Sequence, residues 1–407
     1  MIPLAGMPQV IVIHDLSEAR RVMEGMAVSP PGVSIMDRKA LFRVVRLKGL
    51  DVRAANILKQ EMLSRGGEVA ISRDVYEMRG GEAECLVMGT ASQFERLLPK
   101  LKEQPFGLRA VGESVAAALA HFDQRHPTCH ACLASADRPM VMGVLNVTPD
   151  SFSDGGDYFD ADAAIARAWE MVEEGADLID VGAESTRPWS EGVGVEEELS
   201  RLLPVLRALG GELPVPISVD TSKAAVAAAA LEAGARIIND ITALRADPEM
   251  VAVVRDAGCP VILAHMKGTP GTMQEHPEYD NVVEEVYAFL AERLNWAVDQ
   301  GVAEANLLVD PGIGFGKSTE HNLALLRQLR GLRCLGRPVV LGASRKAFLG
   351  RLLGIEEPKE RSVGTLVTTA LAALEAVDIV RVHNVRDNVQ AVRVVQALFP
   401  ADQPAAR

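Results

Sequence analysis

Eight short apolar runs, each followed by a loop and a helical stretch, predict a (β/α)8 barrel of the TIM type behind a small N-terminal α/β domain. Three observations carry this reading. The strand–helix beat is unbroken from Pro139 onward. The composition is 48% hydrophobic but only 4% aromatic, a mix that suits parallel strands buried on both faces under small-residue helices. The length, 407 residues, leaves room for a second unit beside a barrel of about 250 residues. A doubly wound open sheet would more naturally have fewer strands, and the first run is not followed by Gly-x-Gly-x-x-Gly.

The elements follow in order. Residues 1–122 read as a small α/β domain of unknown role. Its strands are expected at Gln9–His14, Leu41–Leu47, Glu68–Ser72 and Glu84–Met88, and its helices at Asp51–Arg65 and Ser92–Leu98. Gly66-Gly67 and Pro99 punctuate those helices. Residues 123–138 are polar, hold Pro127, and read as a linker. Cys129-x-x-Cys132 lies there with His126 and His130, but no second cysteine pair completes a zinc spacing. Residues 139–400 hold the barrel and 401–407 a tail. The eight strands are expected at Met140–Leu145, Leu178–Val181, Pro216–Val219, Arg236–Ile238, Val261–Ala264, Leu307–Val309, Val339–Leu341 and Ile379–Val382. Helices rich in Ala, Leu and Glu separate them, from Ala161–Glu174 to Asn388–Leu398.

Composition narrows the function classes. Net charge is −13, and it is uneven: residues 1–135 hold 17 Lys/Arg and 15 Asp/Glu, the rest 25 and 40. Nucleic-acid binding is therefore not expected, and an anion must be attracted by a few focused cations or a metal. No run reaches the ~18 apolar residues of a membrane span. Five cysteines, odd in number, and a start without a basic leader point to a reducing, cytoplasmic setting.

A barrel of this type keeps its site where strands give way to loops. Each run is followed or closed by a polar or charged group: Asn146; Glu184 to Arg187; Asp220; Asn239; His265; Asp310; Ser344 to Lys346; Arg381 and His383. A single Asp at a strand end is usually a cap or turn residue, but polar groups at all eight ends fit coincidence poorly. Asp220, Asn239, Asp310 and Lys346 have the donors and acceptors to read the edge of a flat heterocycle. Arg187, Arg381 and His383 suit a phosphorylated leaving group, with Asn146 a hard oxygen ligand for Mg²⁺. Gly312 to Ser318 only mimics a phosphate-binding loop, because Pro311 stands where its first glycine would be.

The motifs at these ends resemble those of dihydropteroate synthases. They are Gly143-Val144-Leu145-Asn146-Val147-Thr148-Pro149-Asp150-Ser151-Phe152-Ser153-Asp154-Gly155-Gly156, Gly182-Ala183-Glu184-Ser185-Thr186-Arg187-Pro188, Ser218-Val219-Asp220-Thr221, Ile238-Asn239-Asp240-Ile241, His265-Met266-Lys267-Gly268-Thr269-Pro270, Asp310-Pro311-Gly312-Ile313-Gly314-Phe315-Gly316-Lys317, Ser344-Arg345-Lys346 and Arg381-Val382-His383-Asn384. The resemblance implies condensation of a dihydropterin diphosphate with 4-aminobenzoate. It implies that Asp220, Asn239, Asp310 and Lys346 hold the pterin, beside Met266 and Phe315. Asn146, Arg381 and His383 would engage the diphosphate, with Mg²⁺ on Asn146. Thr186, Arg187, Pro188, Phe315, Lys346 and Ser344 would shape the aminobenzoate place, and Lys346, Arg381 and His383 would carry the catalysis. A homodimer is implied, as is sensitivity to sulfonamides. The family commonly has Gly-Gly where this chain has Gly182-Ala183, and a small residue where Trp189 stands. Two alternatives share the pterin-edge residues: a pterin-dependent methyltransferase and a non-catalytic pterin-binding regulator.

Overall fold

The structure, a computed structural model, describes residues 9–123, 129–133, 138–148, 161–184, 192–268, 271, 273 and 277–399. The chain divides into two units, Met1–Asp123 and Gln124–Arg407.

In the first unit, strands β1 (Phe42–Asp51), β2 (Glu68–Ile71) and β3 (Glu82–Thr90) form an antiparallel sheet in the order β1-β3-β2. The strand period of two sends Ala83, Cys85 and Val87 into the core and leaves Glu84 and Leu86 exposed. Leu58 and Met62 of helix Val52–Leu63 pack there, with Phe94, Leu97 and Leu101 of helix Ala91–Leu101. The sequence reading departs from this unit at three points. Gln9–His14 forms no strand; Val10 is 93% exposed, and no ladder holds the segment. Pro99 does not end its helix. The Thr90–Gln93 capping box and three buried side chains, each worth about 1.5–3 kcal/mol, outweigh the bond that proline removes. Helix Leu108–Asp123 takes in Asp123, which the sequence placed at the start of a linker.

The second unit carries eight parallel strands: β4 (Met140–Asn146), β5 (Leu178–Gly182), β6 (Ile217–Asp220), β7 (Ile237–Asp240), β8 (Val261–Ala264), β9 (Leu307–Asp310), β10 (Val340–Leu341) and β11 (Ile379–Val382). Their order is β10-β11-β4-β5-β6-β7-β8-β9, and a parallel bridge between Val309 and Val339 closes the ring. This is the expected TIM barrel. β10 is the weakest stave, two residues long behind Pro338, whose carbonyl accepts from Val309 N–H.

The lumen is built in layers. Met142, Leu178, Ile237, Ile262, Leu308, Val340 and Ile379 fill the lower one, all fully buried. Leu133 joins them at 2% exposure, with Cys129 and Cys132 beside it. Residues 129–133, read from sequence as linker, thus pack against the barrel floor rather than crossing open solvent. Two residues further along each strand, the same parity returns to the lumen. That step leads from Leu178 to Asp180, from Ile237 to Asn239, from Leu308 to Asp310 and from Ile379 to Arg381. An apolar floor therefore carries a polar layer at the C-terminal mouth.

Candidate active site

The polar layer is one connected network. Arg381 donates from Nε to Asp180 Oδ2 at 2.6 Å and from Nη2 to Asp220 Oδ2 at 2.8 Å. Asn239 Nδ2 donates to the same Asp180 oxygen at 3.1 Å. Four strands, β5, β6, β7 and β11, are thus joined through side chains. At the end of β9, Asp310 Oδ1 accepts from Gly312 N–H at 2.6 Å. Lys346 Nζ lies 4.0 Å from the centre of the Phe315 ring, and Ser344 Oγ is 2.9 Å from His383 Nδ1.

Burial sets the electrostatics. It raises Asp220 to about 7, the nearby Arg381 guanidinium pulling against the rise and Asp180 adding to it. It lowers Lys346 to about 8, and Arg381 pushes the same way while Asp310 opposes. Burial also raises Asp310, although the Gly312 N–H and Lys346 favour its charged form. Arg381 is desolvated too, yet Asp180 and Asp220 more than reverse that penalty and hold it above its ordinary value. Acids and cations close enough to shift one another meet at one mouth of the barrel.

Loop chemistry places the remaining groups. The segment from Gly312 to Lys317 returns against the β8 end, and Gly312, Gly314 and Gly316 all have positive φ. A Cβ on Gly312 would stand 1.9 Å from the His265 carbonyl oxygen, so only glycine fits. Lys317, 1% exposed, fastens this loop by donating to the carbonyls of Gly312 (2.9 Å) and Phe315 (3.0 Å) and meeting His265 Nδ1 at 2.8 Å. Burial lowers it to about 7. Phe315 is thereby set into an apolar wall with Ile241, Met266 and Met273. Across the mouth, Arg345 has φ +58, an uncommon conformation for a non-glycine residue. Its N–H donates to Thr365 and its carbonyl accepts from Arg361, which together hold the turn between Ser344 and Lys346.

Of the residues expected from sequence, Asp220, Asn239, Asp310, Lys346, Arg381, Phe315, Met266, Ser344 and His383 are all placed at this mouth. Asn146 ends β4 on the same rim, paired in register with Gly182. Thr186, Arg187 and Pro188 lie outside the described residues. Sequence reasoning missed Asp180, although a carboxylate interrupting an apolar run, two positions before the strand end, is a readable signal. It also missed Ile241 and Met273, which carry no chemical signature. At the base of the segment after β5, Lys223 binds both Glu184 and the fully buried Glu198, the latter at 2.5 Å.

The sequence matches the family described as pterin binding enzyme over residues 142–383. Dihydropteroate synthase of Escherichia coli K12 is 45% identical over 265 residues, covering 65% of this chain and 93% of the relative. A probable bifunctional folylpolyglutamate synthase/dihydropteroate synthase of Halobacterium salinarum is 43% identical over 385 residues, 95% of this chain and 46% of the relative. The chain thus spans about half the length of that protein, and the alignment takes in the N-terminal unit. Dihydropteroate synthase of Xanthomonas albilineans, solved with 4-aminobenzoic acid, superposes with a TM-score of 0.62 at 47% identity, covering 65% of this chain and 95% of the other. The Yersinia pestis enzyme, solved with a sulfonamide drug complex, gives 0.62 at 43% with the same coverage. Mouth geometry, motif order and these likenesses agree: the chain belongs to the pterin binding enzyme family, among its dihydropteroate synthases.

Proposed function

We propose that the barrel condenses 6-hydroxymethyl-7,8-dihydropterin diphosphate with 4-aminobenzoate, giving 7,8-dihydropteroate and diphosphate. The observation that carries this reading is the single buried cluster of Asp220, Asn239, Asp310, Lys346 and Arg381 at one mouth. Carboxylates and an amide oxygen accept the N–H groups of an aminopyrimidinone edge, and Lys346 donates to its carbonyl. Met266, Ile241 and Phe315 cover the ring.

The bond from the pterin methylene carbon to the diphosphate oxygen breaks, and the electron pair leaves with diphosphate. Arg381 and His383 face that developing charge. The ring delocalises the methylene cation, beside Asp220 and Asp310. The neutral arylamine of 4-aminobenzoate forms the new C–N bond and releases a proton. The donor set at the rim fits Mg²⁺: the amide oxygen of Asn146 is a hard ligand, and diphosphate oxygens and water complete such shells. Mg²⁺ held there would neutralise charge on the leaving group.

The aminobenzoate place is assigned to Thr186, Arg187 and Pro188 with Phe315, Lys346 and Ser344, and sulfonamides would compete for it. A homodimer is the proposed assembly, supported by exposed Val363, Val367 and Leu374 on one helix and Val394 and Leu398 on the next. The proposed setting is the cytoplasm; among the described residues no helix is long and apolar enough to cross a membrane. The test is diphosphate release. Turnover should require both substrates, and release from the pterin diphosphate alone, undiminished by omitting 4-aminobenzoate, would overturn the reading.

A further inference from the structure

We infer that Asp180 is a positioning residue for the reaction, acting through Asn239 and Arg381; the inference rests on the ligand roles proposed above. Asp180 is 0% exposed and sits in mid-strand, one layer below the rim. One oxygen, Oδ2, accepts from both Asn239 Nδ2 and Arg381 Nε. The other, Oδ1, is buried with no hydrogen-bond partner among the described residues. Such half-satisfied burial is costly, so a purely structural site would do better with an apolar residue.

What the carboxylate achieves is orientation. It can only accept, so it compels Asn239 to turn its NH₂ inward, leaving the amide oxygen as the group offered to a ligand. Asn239 therefore meets an N–H on the pterin edge, not a ring acceptor. The same oxygen ties down Arg381 Nε while Asp220 takes Nη2, which fixes the guanidinium plane and leaves Nη1 for the diphosphate. Asp180 thus serves both halves of one substrate without touching either.

The two arms separate experimentally. Binding of 6-hydroxymethylpterin and of inorganic diphosphate would be measured by calorimetry for wild type, Asp180→Ala, Asp180→Asn, Asn239→Ala and the Asp180→Ala/Asn239→Ala pair. Asp180→Ala should weaken each ligand about tenfold, the worth of one oriented hydrogen bond to a charged partner. Asp180→Asn keeps an oxygen at the shared position and should stay within about threefold of wild type, also guarding against a folding defect. In the Asn239→Ala background the pterin cost should vanish while the diphosphate cost persists. An equal pterin cost in both backgrounds, or none in either, would overturn the positioning role. A wild type that binds no pterin would instead bring down the proposed function, and this inference with it.

Discussion

Asp310 is the residue on which pterin recognition turns most simply. One oxygen is held by the Gly312 N–H, so the other is aimed by the backbone itself. Asp310→Asn keeps the shape and replaces an acceptor by a donor. Pterin affinity should fall roughly 5- to 150-fold, the range for a mispaired buried group, with thermal unfolding little changed. Calorimetry beside a melting curve checks both. The pH dependence follows from two neighbours. Asp220 must be ionised to accept and titrates near 7; Lys346 must be protonated to donate and titrates near 8. Pterin affinity should therefore rise as pH climbs through 7 and fall above 8, by roughly tenfold per unit at the limit. Lys346→Met should bind more weakly and lose the alkaline fall. Asp220 and Asp310 were legible in sequence because each closes an apolar run, and Lys346 because it lies in the loop that follows one. Asp180 was missed although readable, because it lies inside such a run and the candidate groups were sought at the strand ends.

At the scale of elements, the turn after β9 and the segment below the barrel make the sharpest statements. Gly312→Ala places a methyl on the His265 carbonyl, at a φ that disfavours alanine. Its expected cost is at least about 2 kcal/mol, with Phe315 displaced and pterin affinity reduced. Chemical denaturation would show it; a neutral variant would mean the turn is not under this constraint. Leu133→Ala removes the side chain that completes the barrel floor and should cost about 2–5 kcal/mol without changing affinity for either substrate. The barrel strands were readable from their apolar runs, and β8 and β11 fall where the sequence placed them. The unit 1–123 was less so. Helix Ala91–Leu101 passes through Pro99 because tertiary burial overrides a local breaker, and Gln9–His14 has strand composition but no partner to pair with. The floor-packing role of 129–133 is invisible in a polar, Pro-flanked stretch, since only the burial of Leu133 in the cluster of the barrel floor reveals it.

For the whole molecule, the proposed dimer gives a test that leaves the active site untouched. Val363 and Val367, 68% and 65% exposed, lie one turn apart on a barrel helix. The double change Val363→Glu/Val367→Glu should yield a monomer in sedimentation, still binding pterin; an unchanged mass would place the interface elsewhere. The larger claim is that side chains from eight strands and their loops, spread between residues 146 and 383, serve one ligand at one mouth. A diffraction structure with 6-hydroxymethylpterin bound tests this most directly. A single ring touching Asp220, Asn239, Asp310 and Lys346 together, with Phe315 and Met266 alongside, is the expected result. A pterin seated away from that group, or these four residues divided between separate ligands, would contradict it.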